Sequence, residues 1–188
     1  MLPVLPATVI GSWSFPGWYA KFCAEAARQP EQFGPDDRAE AVQDAVRLAI
    51  ADQLQAGADI ITDGEMQRVD FNLGFYGHLQ GIRPLPHGRR WGPPAHDQRG
   101  KYLCVGPVAA PKGLGLVEEF QRLREWTSAP VKVPVPGPFT LAGCLAGGEV
   151  YRDRVEITEA LLPIVNREMT SLVQAGADFI QMDEPSFA

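Results

Sequence analysis

Apolar positions along this chain follow two alternating rhythms. Short aliphatic or β-branched runs recur at residues 7–10, 58–62, 102–105, 131–135 and 178–182, and each predicts a buried strand. Between them the apolar residues fall at helical spacing. Pro35-Asp36-Asp37 opens one such segment, with Ala41, Val42, Ala45, Val46, Ala49 and Ile50 on one face and Gly57 placed to stop it. A second helix is predicted over 116–126 and a long third one over 154–174, which Gly176 ends. The mixed aromatic stretch at 69–79 reads as helical, and Gly137-Pro138-Phe139-Thr140 opens a loop and a short helix. Pro134 lacks an N–H, so the run at 131–135 is expected to be irregular or an edge strand. Residues 81–100 hold four prolines, four glycines and four arginines, and read as an excursion loop within one domain spanning 1–188.

One segment repeats. Leu54-Gln55-Ala56-Gly57-Ala58-Asp59-Ile60-Ile61 matches Val173-Gln174-Ala175-Gly176-Ala177-Asp178-Phe179-Ile180, with an offset of 119 residues. Each copy is a helix end, a glycine stop and a buried strand, followed by acidic residues. Such βα repeats belong to an α/β fold, either a (β/α)8 TIM-type barrel or a doubly wound sheet. Polar residues follow four different strands: Ser12, Asp63 with Glu65, Thr140, and Asp183 with Glu184. That distribution favours a barrel mouth, since a doubly wound sheet gathers its ligand loops at one switch point behind a glycine-rich turn. A complete barrel takes roughly 250 residues and at least about 200. Strands centred near residues 10, 60, 104, 133 and 180 therefore amount to about five βα units, an incomplete barrel. Its first and last strands would need cover from a C-terminal barrel half or from another chain.

Composition narrows the class without naming a function. The chain is 45% hydrophobic with a net charge of −6 and no long run of one sign, which argues against nucleic-acid binding by bulk electrostatics. No stretch approaches the ~18 consecutive apolar residues of a membrane span. The first residues lack the basic and apolar regions of a signal peptide, and Cys23, Cys104 and Cys144 form an odd set without a close pair. Reduced thiols in a cytoplasmic protein are the expectation.

The candidate chemistry lies at the strand ends. Ser12, after a glycine that permits close approach, offers an N–H and a hydroxyl to a carboxylate. Two carboxylates at neighbouring strand ends, one from Asp63 with Glu65 and one from Asp183 with Glu184, suit an ammonium group. An amino-acid zwitterion is thus a sensible small-molecule ligand. His78, His87 and His96 match no common zinc spacing, and no Ser/His/Asp set is evident. Trp13, Phe15, Trp18 and Tyr19 could line a flat-ring pocket or pack as core and rim.

Five motifs in order carry a family resemblance: Thr8-Val9-Ile10-Gly11-Ser12; Asp63-Gly64-Glu65 with Arg68 and Asp70; Phe75-Tyr76-Gly77-His78-Leu79-Gln80-Gly81; Gly137-Pro138-Phe139-Thr140-Leu141; and Ile180-Gln181-Met182-Asp183-Glu184-Pro185. Together they resemble the catalytic domain of cobalamin-independent methionine synthases, in the shorter single-barrel form, although Trp13-Ser14 is inserted into the usual Ile-Gly-Ser-Phe-Pro pattern. The resemblance implies a (β/α)8 barrel that transfers a methyl group from a methylated folate to the thiol of homocysteine, with zinc activating the thiol. It further implies that Ser12 binds the homocysteine carboxylate while Glu65 and Asp183 bind its amino group. The family's zinc ligands, a His-x-Cys pair, a Glu and a later Cys, follow the Asp-Glu-Pro element, so none is assigned here. Two other readings stay open at this point: an amino-acid-binding or interaction module without catalysis, and a barrel enzyme of the uroporphyrinogen-decarboxylase type.

Overall fold

Helix α1 (Gly17–Arg28) starts at Pro16 and buries Tyr19 and Ala26. The computed structural model, which describes residues 2–68, 73–85 and 101–187, then turns into α2 (Pro35–Gln55). Pro35 sits in the first turn, where a missing N–H costs nothing, and the Gly34 N–H donates to the Asp37 carboxylate. Ala41, Ala45, Val46, Ala49 and Ile50 form the buried face, as their spacing predicts. Helix α3 (Leu116–Trp126) and helix α5 (Arg154–Gln174) also occupy the predicted spans, and the Asp153 carboxylate caps α5 at the Glu156 N–H.

These helices back a run of parallel chain segments. Thr8 bridges Ile60, Ile61 bridges Val131, and β3 (Lys132–Pro136) pairs in parallel with β5 (Phe179–Asp183) from Lys132↔Phe179 to Pro136↔Asp183. The spatial order thus follows the chain order, as the winding of βα units requires. Val131, Val133 and Val135 point into the core on the helix side. The alternate residues Lys132, Pro134 and Pro136 lie on the opposite face, with Gln181 and Asp183 beside them on β5.

Both copies of the repeat end their helices identically. The Ala58 N–H reaches the Gln53 carbonyl and Gly57 the Leu54 carbonyl; Ala177 and Gly176 do the same to Leu172 and Val173. These are Schellman closures, with Gly57 at φ 83° and Gly176 at φ 90°. The following aspartate then latches onto the preceding segment. Asp59 accepts the Ala7 N–H at 2.8 Å, and Asp178 accepts the Val131 N–H at 3.0 Å.

Three expectations change. The run near residue 104 is not a fifth member of the parallel array. It lies in β2 (Tyr102–Ala109), antiparallel to β1 (Gln80–Pro84) and briefly parallel to β4 (Leu145–Ala146). An apolar run of that length cannot by itself distinguish a hairpin arm from a barrel strand, so the parallel run holds four segments rather than five among the described residues. The start of the excursion is strand β1, and residues 86–100 lie outside the described residues. Of the stretch at 69–79, Leu73–His78 forms a 3₁₀ helix, and residues 69–72 are outside the described set. Strand β3 keeps the open edge that Pro134 leads one to expect: it pairs along its length only with β5, and on its other side the bridge is confined to Val131. The Lys132 N–H faces Ile61 while the Val131 carbonyl faces Phe179, so even positions look toward the 60–62 segment. That pairing stops at Ile61, leaving no ladder partner for the missing N–H of Pro134, and its carbonyl accepts from Arg68 at 3.2 Å.

Candidate functional site

Thr62 assembles the first half of the site. Its side-chain hydroxyl donates to the Gly11 carbonyl at 2.9 Å and accepts the Gly64 N–H at 3.0 Å, while the Trp13 N–H donates to the Gly64 carbonyl at 3.0 Å. The buried Gln53 side chain holds Thr62 itself, pairing with both its N–H and its carbonyl at 2.9 Å. Residues 11–13 and 62–65 are thereby locked side by side. Gly64 needs to be glycine: at φ 69° an added Cβ would sit 2.9 Å from the side chains of Ala49 and Trp13.

Glu65 follows at φ 57° and is the only non-glycine with positive φ among the described residues. Left-handed backbone at a glutamate costs of order 1 kcal/mol, and such outliers cluster at functional sites. The Asp63 carboxylate stabilises the turn by accepting the Glu65 N–H at 2.9 Å. The turn aims the Glu65 carboxylate at Ser12, whose hydroxyl donates to Oε2, and Oε1 lies 3.4 Å from the Arg68 guanidinium.

Arg68 is buried and fully engaged. Its Nε and Nη2 both lie 2.9 Å from Glu119 Oε2, its carbon end sits 5.0 Å from the Phe75 ring centre, and Nη2 also serves the Pro134 carbonyl. Burial opposes its charge, yet Glu119, Asp63 and Glu65 outweigh that effect and raise its pKa. Burial also raises the Glu65 carboxyl above its ordinary value, with the Ser12 hydrogen bond and Arg68 offsetting part of the rise.

The second half comes from the end of β5. Asp183 Oδ1 accepts from the Gln181 amide at 2.7 Å, and burial raises its pKa against the opposing influence of Gln181, Lys132 and Arg68. Its neighbour Glu184 turns away from solvent to bind the start of α4 (Pro138–Ala142). The Glu184 carboxylate accepts the Phe139 N–H at 2.9 Å, the Thr140 N–H at 2.8 Å and the Thr140 hydroxyl at 2.6 Å. The Gly137 N–H meanwhile donates to the Asp183 carbonyl at 2.8 Å. Thr140, a polar strand-end residue in the sequence, therefore anchors a loop.

Ser12, Glu65 and Asp183 line one open cleft of about 670 Å³, together with Ile10, Gly11, Glu184 and Pro185. The three residues singled out from the sequence, spread over more than 170 positions, meet at one place. The cleft brings the Gly11-Ser12 turn together with the Glu65 and Asp183 carboxylates, groups that can meet both ends of a zwitterion.

Other sequence candidates lie elsewhere. Tyr19 is buried and donates to the Met66 carbonyl at 2.6 Å, while Phe15 and Trp18 pack around it, so this aromatic group is helix packing outside the cleft. Cys104 and Cys144 are core residues and Cys23 is half-buried; none of the three is in a disulfide. His78 is exposed, and His87, His96 and Asp70 fall outside the described residues. No group of three His, Cys, Asp or Glu side chains able to hold a metal ion occurs among the described residues. No described helix is long and apolar enough to cross a membrane. Sequence reasoning missed the support of the site: Glu119 pairs with Arg68 from 51 residues away, and Lys132 reaches Gln181 from 49. No local pattern marks such pairs.

With this geometry in place, comparison with known proteins is informative. The family described as "Cobalamin-independent synthase, Catalytic domain" matches residues 5–188. A methionine synthase of Pyrococcus abyssi is 35% identical, with 98% of this chain aligned to 53% of the relative. One from Sulfurisphaera tokodaii is 34% identical over the same shares. Among solved structures, a B12-independent methionine synthase from Shewanella sp. W3-18-1, in complex with selenomethionine, superposes with a TM-score of 0.77 at 30% identity. That superposition covers 98% of this chain and 53% of the Shewanella chain. The chain thus spans about half the length of the curated relatives it matches.

Proposed function

We propose a function from one premise: the chain belongs to the cobalamin-independent synthase family, in its catalytic domain. Within a methyltransferase of the methionine synthase type, it supplies the part of the site that grips the amino acid. The reaction is methyl transfer from a methylated folate to the thiol of homocysteine, in methionine biosynthesis. The parallel run is one sector of a (β/α)8 barrel, and further polypeptide, in the same or another chain, supplies the remainder. A cytoplasmic location goes with this reading.

One observation carries the proposal: Ser12, Glu65 and Asp183 converge on a single cleft. Selenomethionine in the Shewanella relative supports it, since methionine and homocysteine share the same zwitterionic end. In the proposed pose the Ser12 turn faces the carboxylate, and Glu65 and Asp183 bracket the ammonium. The side chain then extends along the cleft, so that the sulfur is fixed by its far end. Holding the acceptor this way converts an encounter into an oriented attack, which is where a binding residue helps the rate. Zinc, which the resemblance implies, finds no fitting ligand set among the described residues, and no step is derived through it.

Calorimetric titration of the chain with L-methionine and L-homocysteine tests the proposal. Each charge-assisted hydrogen bond is worth about 1.5–3 kcal/mol. Glu65→Gln and Asp183→Asn should therefore each weaken binding by roughly 10- to 150-fold. N-acetylmethionine, which lacks the ammonium, should not bind. No binding of either amino acid to the unaltered chain, or unchanged affinity in both variants, would refute the site.

A further inference from the structure

Lys132 stands in the middle of the parallel run, and its side chain lies on the same face as the cleft residues. It is only 7% exposed. Its ammonium group donates to the Val9 carbonyl, three residues before Ser12, and to Gln181 Oε1 at 2.8 Å. Gln181 passes the connection on, its amide donating to Asp183 Oδ1 at 2.7 Å and to the Ile10 carbonyl at 2.9 Å. A single side chain on β3 thus reaches the first segment of the run, which leads into Ser12, and the last, which carries Asp183. A buried lysine is expensive compared with an apolar residue of the same volume, and burial lowers its proton affinity while Asp183 opposes that effect. Plain sheet packing would be better served by methionine or leucine.

We propose that Lys132, through its charge and the Gln181 amide, is the positioning residue that keeps Asp183 charged and in register with Ser12. The inference rests on the amino-acid site proposed above and adds the device that presets it. The groups facing Asp183 are Lys132 from β3 and Arg68 and Glu65 from the segment after Thr62. Glu184 is adjacent in sequence, but its carboxylate is occupied by Phe139 and Thr140. Gln181 leaves Asp183 one good donor, and Lys132 is the nearer strand's cation. Removing either should make Asp183 hold its proton to higher pH.

The test is a ¹³C-detected NMR titration of the Asp183 carboxyl in the ligand-free chain, unaltered and as Lys132→Met and Gln181→Met. Loss of a nearby opposite charge or donor should raise the Asp183 midpoint by about one pH unit in each variant. L-Methionine affinity of the variants should drop by up to about tenfold relative to the unaltered chain as pH falls through the raised midpoint and match it well above that midpoint, which a purely structural role would not produce. Folded variants with the midpoint of the unaltered chain would overturn the proposal. If Lys132→Met does not fold, Gln181→Met, at a half-buried position, decides the matter by the same midpoint. Shifted midpoints in a chain that binds no methionine would support the clamp and refute the amino-acid reading, so the two failures are distinguishable.

Discussion

Gly137→Ala isolates the contact that fixes the second half of the cleft. The backbone at Gly137 has φ −71° and ψ 156°, which alanine adopts freely, so any penalty is steric. An added Cβ would fall 2.1 Å from Glu184 Cδ and Oε1 and 2.3 Å from Cγ. No other atom is among the three nearest. The Glu184 side chain must therefore leave, abandoning the two N–H groups and one hydroxyl that it accepts from Phe139 and Thr140. Losing a helix N-cap costs about 0.5–2 kcal/mol, and the Thr140 hydroxyl adds about 1, so the substitution should destabilise by about 2 kcal/mol. In a Glu184→Ala background the clash is gone. The same Gly137→Ala change should then stabilise by about 0.4–1 kcal/mol, because alanine restricts the unfolded chain more than glycine does. Urea denaturation of the four proteins in the cycle, with matched m-values, gives both numbers. A reversal of sign between backgrounds is expected. Equal destabilisation in both would show that Glu184 is not what occupies the space, and the reasoning would fail.

Two further predictions concern the buried charges and the repeat. Burial raises the Glu65 pKa, so the folded chain holds that proton more tightly than the unfolded one. Its contribution is fully present below the unfolded value and is lost as pH rises through the raised folded value. The unaltered chain should accordingly lose stability relative to Glu65→Gln over that rise, and its methionine affinity should fall as pH drops through the same range; denaturation and calorimetry at several pH values would read both, and a flat difference would contradict them. Asp59→Ala and Asp178→Ala should each destabilise by about 1–3 kcal/mol, since each leaves a strand-start N–H without its charged acceptor. Asp178→Ala should cost more, because that carboxylate also pairs with Arg124, and thermal melts would rank them.

What the sequence made legible was whatever depends on near neighbours. Helix spans, the Gly57 and Gly176 stops and the acidic strand ends were readable because caps and periodicity act within a few residues. The run at 102–105 was misplaced because hairpin and barrel strands bury apolar side chains alike, and only the distant pairing partners differ. Pro134 was legible as a position on an unpaired edge, but the Arg68 guanidinium that meets its carbonyl, 66 residues away, was not. Helix α1 went unread because its aromatic cluster was weighed as a possible pocket lining. At the site, strand-end polarity pointed to Ser12, Asp63 with Glu65, Thr140 and Asp183 with Glu184, and the family resemblance narrowed these to Ser12, Glu65 and Asp183. Their supports, Glu119, Lys132 and Gln181, are joined to it only by three-dimensional proximity.

The repeated aspartate latch bears on the order of assembly. Each latch joins the start of a strand to an amide of the segment before it, 52 residues back for Asp59 and 47 for Asp178. The acceptor always belongs to the later piece and the donor to the earlier one. A newly made unit thus carries the acceptor for an amide already synthesised, and each docking closes a loop of similar length and entropic cost. Emerging from the ribosome N-terminus first, such a chain grows its sheet in one direction, like courses laid on a wall.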